Sequence, residues 1–251
     1  MLCAAPAQAA PFYISVTAGS NFSADESGPF FNGKNNVNAL AFSSGHADFN
    51  VENGFALSGA VGFGLDHWLH GLSVEGEVGY RRNNVGGHWE TSNNFLASAI
   101  SAQAITGGAI DANLSTFSLM ANLWYEFDIG MKFKPYFGGG VGWARTKLDG
   151  VFEEPVRLTQ VNAAAINPFD GFDVERNGFA YQLGAGITSE IVPGTRLGIG
   201  YRYFDGPNVD LDFGNFQSLG VGAAAQIGSS GHVKFDNVSH TVAVTLGIDI
   251  N

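Results

Sequence analysis

The last fourteen residues before the C-terminal Asn251 run N-V-S-H-T-V-A-V-T-L-G-I-D-I. Val238, His240, Val242, Val244, Leu246, Ile248 and Ile250 fall on one parity. Ser239, Thr241, Ala243, Thr245, Gly247 and Asp249 fall on the other. Side chains alternate faces along a strand, so this segment predicts one continuous apolar face and one small or polar face. It is longer than the usual strand of about five or six residues. That length crosses a lipid core at a tilt, so the apolar face is expected to meet acyl chains.

Seven further segments repeat the pattern: Phe12–Phe22, Gly54–Leu65, Leu72–Arg82, Leu114–Phe127, Pro135–Lys147, Gly178–Ile191 and Arg196–Asp205. In Leu72–Arg82, for example, Leu72, Val74, Val78 and Tyr80 oppose Ser73, Glu75, Glu77, Gly79 and Arg81. The total of eight is even, as single-chain bacterial barrels require. Connections alternate between short (66–71, 128–134, 192–195) and about thirty residues (23–53, 83–113, 148–177, 206–236), the rhythm of periplasmic turns and extracellular loops. The expected fold is therefore an all-β, eight-stranded antiparallel up-and-down transmembrane β-barrel with four long extracellular loops. Within the second loop, 94–104 is Ala-rich enough to form a short helix. Small inward residues suit so narrow a barrel, which packs side chains in place of an aqueous pore.

Composition agrees. Only 14% of the 251 residues are charged, against about a quarter in soluble domains. No apolar run reaches the ~18 residues of a helical span. A net charge of −11 argues against nucleic acid as a partner, because phosphates call for a basic stripe. Ala7-Gln8-Ala9 reads as a signal-peptidase site, making residues 1–9 a residual signal peptide and 10–251 a single barrel domain. Cys3, the sole cysteine, would leave with that leader, which suits passage through an oxidising compartment. Two aromatic girdles are expected at the lipid boundaries. Phe12, Tyr13, Trp68, Trp124, Tyr125, Phe133 and Tyr136 would form one; Phe22, Tyr80, Trp143, Phe179, Tyr201 and Tyr203 the other.

Three stretches carry a family likeness: Pro135-Tyr-Phe-Gly-Gly-Gly-Val-Gly-Trp143, Leu197-Gly-Ile-Gly-Tyr-Arg-Tyr203 and Ser239-His-Thr-Val-Ala-Val-Thr-Leu-Gly247. With them the chain resembles the small outer-membrane β-barrels: the OmpA-like membrane domain, the opacity proteins and the alphaproteobacterial surface antigens. The resemblance implies the outer membrane of a Gram-negative bacterium, with lipid and lipopolysaccharide as surroundings and no cofactor. Members usually end on an outward aromatic; here the outward series 246, 248, 250 points to position 252.

The most pointed chemistry lies on inward positions. Glu75, Glu77 and Arg81 share one strand, and Arg202 faces them from the strand opposite in an eight-strand closure, with Glu126 and Glu190 nearer the periplasm. Unpaired charge in a dry lumen is costly, so a paired lumen charge network is expected, either a plug or a gate in a small ion path. A Ser/His enzyme needs both side chains within reach. Ser239 and His240 are adjacent and so face opposite ways, and His67 and His70 flank Trp68 in a turn with no third metal ligand in view. Neither a catalytic nor a metal site is expected. Loop carboxylates such as Asp25, Asp48, Asp149, Asp173 and Glu175 read as a solvated acidic surface. Apolar loop residues, Phe42, Phe95, Leu96, Ile100, Ile166 and Leu219 among them, form either a cap over the barrel mouth or a contact patch for a protein partner. The sequence thus points to a non-enzymatic envelope protein or surface antigen, with a porin-like small channel or carrier for an apolar or small solute as the alternative. A lipid-modifying enzyme is the third reading.

Overall fold

Alternation along the chain becomes a closed wall of hydrogen-bonded strands in the computed structural model, which describes residues 12–31, 45–91, 107–153, 171–212 and 232–250. Eight strands form the wall: β1 (Phe12–Ser23), β4 (Gly54–Gly64), β5 (Leu72–Thr91), β6 (Gly107–Glu126), β7 (Phe133–Glu153), β8 (Phe172–Val192), β9 (Thr195–Asp205) and β12 (Val238–Ile250). Each pairs antiparallel with its neighbours, and β1 closes the ring on β12 with Phe12 opposite Ile250 and Ser23 opposite Ser239. Closure leaves no backbone amide or carbonyl at a bare edge in lipid, which is why a sheet can cross a membrane at all. On the short-turn side, the chain reverses from β8 to β9 through Pro193-Gly194, with Gly194 at φ +77°, a conformation open to glycine at little cost.

Outward side chains form an apolar belt. Ile14, Val16, Leu57, Val61, Val74, Val78, Leu119, Leu123, Phe137, Val141, Leu183, Ile187, Leu197, Ile199, Val242, Val244 and Leu246 are all substantially exposed on the outer face. From Leu72 to Tyr80 the belt rises about 20 Å, taking ~3.3 Å per residue and a tilt of ~40°. This is close to the ~25 Å apolar band of outer-membrane barrels.

The long connections differ from the expected loops. Strands β5 to β8 do not stop at Arg82, Leu114, Lys147 and Gly178; they run on, each reaching 20 or 21 residues. The first connection holds β2 (Glu26–Phe31) and β3 (Gly45–Val51), and β3 joins the extended edge of β5. The last holds the hairpin β10 (Val209–Asp212) and β11 (His232–Phe235), whose strands lie against β8 and β2. An upper storey thus stands above the belt on half of the wall.

Alternation continues into that storey with its sense reversed, which is why it read as loop. On β7 the outward Phe137, Val141 and Trp143 give way to outward Arg145, Lys147 and Asp149, while inward Leu148 becomes fully buried. On β6 inward Asn122 and Ser118 give way to inward Leu114, Ala112 and Ile110. These side chains join Ala47, Phe49, Val51, Val85, Val209, Leu211, Val233 and Phe235 in one buried apolar cluster, with Phe172 and Val174 packed against it. Phe49 meets Phe235 edge-on at 4.7 Å between centroids. Outside the belt the outer face meets water and the inner face is sealed, so the ordinary soluble pattern returns. The apolar segments around Phe42, Phe95, Leu96, Ile100, Ile166 and Leu219, and the Ala-rich 94–104, lie outside the described residues.

Candidate functional site: the barrel lumen

Inward parity brings β5 and β9 face to face across the barrel. Arg202 Nη1 donates to Glu77 Oε2 at 2.6 Å, an ion pair spanning the lumen. The Glu77 side chain is 1% exposed and that of Arg202 12%, so the pair is shielded from solvent and the attraction is little screened. Asn122 donates to Glu77 Oε2 (3.1 Å) and Gln182 to Glu77 Oε1 (3.4 Å), while Gln182 also donates to Asn122 Oδ1 at 2.7 Å. A buried carboxylate needs that many partners to remain charged without heavy loss.

The other two members of the quartet are satisfied differently from the expected charge pairing. Glu75 accepts from Tyr13 Oη at 2.9 Å and from Trp124 Nε1 at 2.6 Å. Arg81 donates to Ser118 Oγ (3.2 Å) and Gln182 Oε1 (3.3 Å), and its guanidinium lies 3.8 Å over the Phe204 ring. Neutral dipoles and a π face make the direct contacts, while Arg202 acts on Glu75 and Glu77 on Arg81 as opposite charges through space.

Further polar layers flank the quartet. Toward the outside, Thr241 donates to Asn21 Oδ1 and Asn21 to Asn83 Oδ1, both at 2.7 Å. Asn237 donates to Thr146 Oγ1 at 2.7 Å. Toward the periplasm, Arg196 pairs with Glu126 (3.3 Å) and Asp249 (2.9 Å) and lies 4.7 Å over the Tyr13 ring. Glu190 instead accepts the Gly194 amide at the β8–β9 turn, at 2.9 Å. Between these layers a pocket is lined by Tyr13, Glu75, Trp124, Tyr136, Arg196 and Arg202, among others.

Tyr13 and Trp124, expected in a girdle, are buried in the lumen, and Tyr136 lines it with them. Their strand parity was the signal: Trp124 shares the inward series with Asn122 and Met120, as Arg196 does with Arg202. Proximity to a turn is a weaker guide than parity, which a sheet cannot evade. Inward glycines form sockets for these rings. A Cβ at Gly62 would lie 2.1 Å from Tyr13 Cζ, and one at Gly200 2.2 Å from Tyr136 Oη.

The histidines keep to other faces. His240 points outward at the upper rim, with Nδ1 2.5 Å from Tyr201 Oη and its ring against Tyr203; Ser239 is buried in the lumen. His67 and His70 are exposed in the 66–71 turn.

A closed eight-stranded wall with an apolar exterior and a polar interior agrees with the comparisons. The model of the outer membrane protein beta-barrel domain matches residues 1–226. The chain belongs to that family. Its place is accordingly the outer membrane, among lipid and lipopolysaccharide. No curated protein matches the chain. Among solved structures, the outer membrane protein OprG from Pseudomonas aeruginosa is 12% identical, with 96% of this chain and 97% of that chain covered and a TM-score of 0.54. Neisserial surface protein A is 14% identical, covering 95% of this chain and 97% of that chain, TM-score 0.44. The outer membrane protease OmpT from Escherichia coli is 10% identical over 96% and 97%, TM-score 0.47. At such identities the OprG likeness carries the barrel fold and nothing finer.

Proposed function

We propose that this outer membrane beta-barrel protein is non-enzymatic and non-conducting, a structural component of the envelope and a surface antigen that acts through its extracellular side. The observation that carries the reading is the Glu77–Arg202 pair, which spans the lumen and is braced by Asn122 and Gln182. Asparagine and threonine bridges lie above it, and the sealed apolar cluster above them. An ion crossing here would have to part a shielded ion pair and then enter a dry core, and both steps are costly. On this reading the lumen network of Glu75, Glu77, Arg81 and Arg202 is a plug. Contact with partners then falls to the extracellular segments, including the apolar residues Phe42, Phe95, Leu96, Ile100, Ile166 and Leu219.

Planar-bilayer recording tests the plug: the wild type is expected to show no stable conductance. Steady wild-type currents that change size in Glu75→Gln or Arg202→Met would overturn the reading. Crosslinking on intact cells, with the extracellular segments deleted one at a time, would identify the partner. Unchanged lipid A after expression would separate this role from a lipid-modifying enzyme.

A second reading, a small channel or carrier, draws on the pocket between the Arg202 and Arg196 layers. There Glu75, Tyr13 and Trp124 offer polar and aromatic groups to a small solute. Liposome swelling with small neutral solutes distinguishes it, since a carrier admits some of them even where no current flows.

A further inference from the structure

Outside the barrel wall, in the upper storey, strands β3 and β5 carry the same short motif in opposite directions: His46-Ala-Asp48 and His88-Trp-Glu90. The ladder sets Asp48 opposite His88 and His46 opposite Glu90. Ala47 and Phe49 face the apolar cluster, so His46 and Asp48 face water, and parity puts His88 on that outer face as well. His46 Nε2 lies 3.1 Å from Asp48 Oδ1, and His88 Nε2 lies 3.6 Å from Asp48 Oδ2.

We propose that His46, Asp48 and His88 bind a divalent transition-metal ion, zinc in the first place, on the extracellular face of the protein. Zinc takes imidazole nitrogen and carboxylate oxygen at about 2.0–2.1 Å, so two ligand atoms on one tetrahedral ion stand about 3.3 Å apart. His46 Nε2 and His88 Nε2 approach different oxygens of the one Asp48 carboxylate, so the rings must turn to set both nitrogens and one oxygen at that spacing. Among the described residues no three such side chains yet converge on one point; here the carboxylate sits between the rings, one oxygen toward each. All three side chains are about half exposed or more, 51%, 46% and 63%, and turn without disturbing any packing. Each neutral ring moves its proton to Nδ1 and offers the Nε2 lone pair, so no net proton is released.

The backbone supplies the preorganisation. Adjacent paired strands fix the three Cα positions, and the underside of the sheet is held by Phe49 and Val85 in the apolar cluster. Two imidazoles and a carboxylate suit zinc better than calcium or magnesium, which favour all-oxygen sets. Asp111 on β6, opposite Gly86 on the same outer face, adds negative charge that draws a cation in. Three protein ligands leave one tetrahedral position open, to water or to a donor atom from outside the cell.

The test is zinc binding by isothermal titration to the untagged full chain folded in detergent, with calcium and magnesium as comparison ions. One zinc per chain is expected, with affinity falling at least tenfold in His46→Gln and in His88→Gln. X-ray absorption should report two imidazole nitrogens in the zinc shell. Heat-modified gel mobility identical to wild type shows that each variant is folded. Zinc binding that survives both substitutions, or that disappears in His67→Gln or His70→Gln instead, would overturn the site. So would calcium binding as tightly as zinc.

Discussion

The belt and the upper storey share four long strands, β5 to β8, yet along these each is the other turned inside out. In the belt, valine and leucine face out while Glu75, Glu77, Arg81 and Asn122 face in. Above it, Arg145, Lys147 and Asp149 face out while Leu114, Leu148 and Val85 face in. Neither half changes strand geometry, and only the surroundings change. Lipid rewards an apolar exterior and water rewards an apolar core, so a single strand crossing the boundary must exchange its two faces. Hydrophobicity alone therefore says little about which side is inside until the medium is known.

The largest effect that would break this contrast is expected at Phe49, whose ring is 1% exposed beneath the extracellular sheet. Phe49→Ala should cost the upper storey about 3–5 kcal/mol, as in other large-to-small core changes. Amide hydrogen exchange would then rise across β3, β10 and β11 while the belt stays protected. Loss of protection in both regions together would show one cooperative unit in place of two. A sharper comparison uses one face of one strand. Val141→Lys, in the belt, should destabilise the fold by about 2–4 kcal/mol near the bilayer midplane. Val151→Lys, also outward on β7 and 50% exposed but above the lipid, should change it by no more than about 0.5 kcal/mol. Reversible unfolding in vesicles measures both, and equal costs would refute the assignment of the upper boundary.

The smallest effect concerns Glu26 on β2, which accepts the Asp236 amide at 3.3 Å and so ties the first extracellular strands to the last. Burial raises its carboxyl above the ordinary carboxylate range, only partly offset by that amide and by Lys234. A raised folded-state value means that its stabilisation is complete below the unfolded value. It is lost as pH rises through the folded one. Exchange of the β2 amides should therefore quicken as pH rises from about 4 toward 7, beyond the intrinsic rate, with the excess absent in Glu26→Gln. The same excess in the variant would remove Glu26 from the account.

Much of this was legible in the sequence. Strict alternation located all eight wall strands, and parity put Glu75, Glu77, Arg81 and Arg202 on the inner face. What escaped was the upper half of β5 to β8, because the outward apolar series ends where Arg82 and Lys147 break it. Val85, Leu114 and Leu148 carried the continuation on the other parity. The pairing of Glu75 with Tyr13 and Trp124 was hidden for a related reason. An aromatic residue near a turn fits a girdle and a lumen equally well until its neighbours' parity is weighed. His46 and Asp48 sat in a connection read as loop, so their register with His88 could not be seen.

The exchange of faces also fixes depth. If the barrel rose by one dipeptide, apolar side chains would leave the oil around the whole ring; if it sank by one, Arg145 and Lys147 would be dragged into it. Both displacements are penalised on several strands at once, so the wall behaves as a ruler read against the leaflet. The extracellular storey is held at a constant height above the cell, and whatever approaches from outside meets it at that same level.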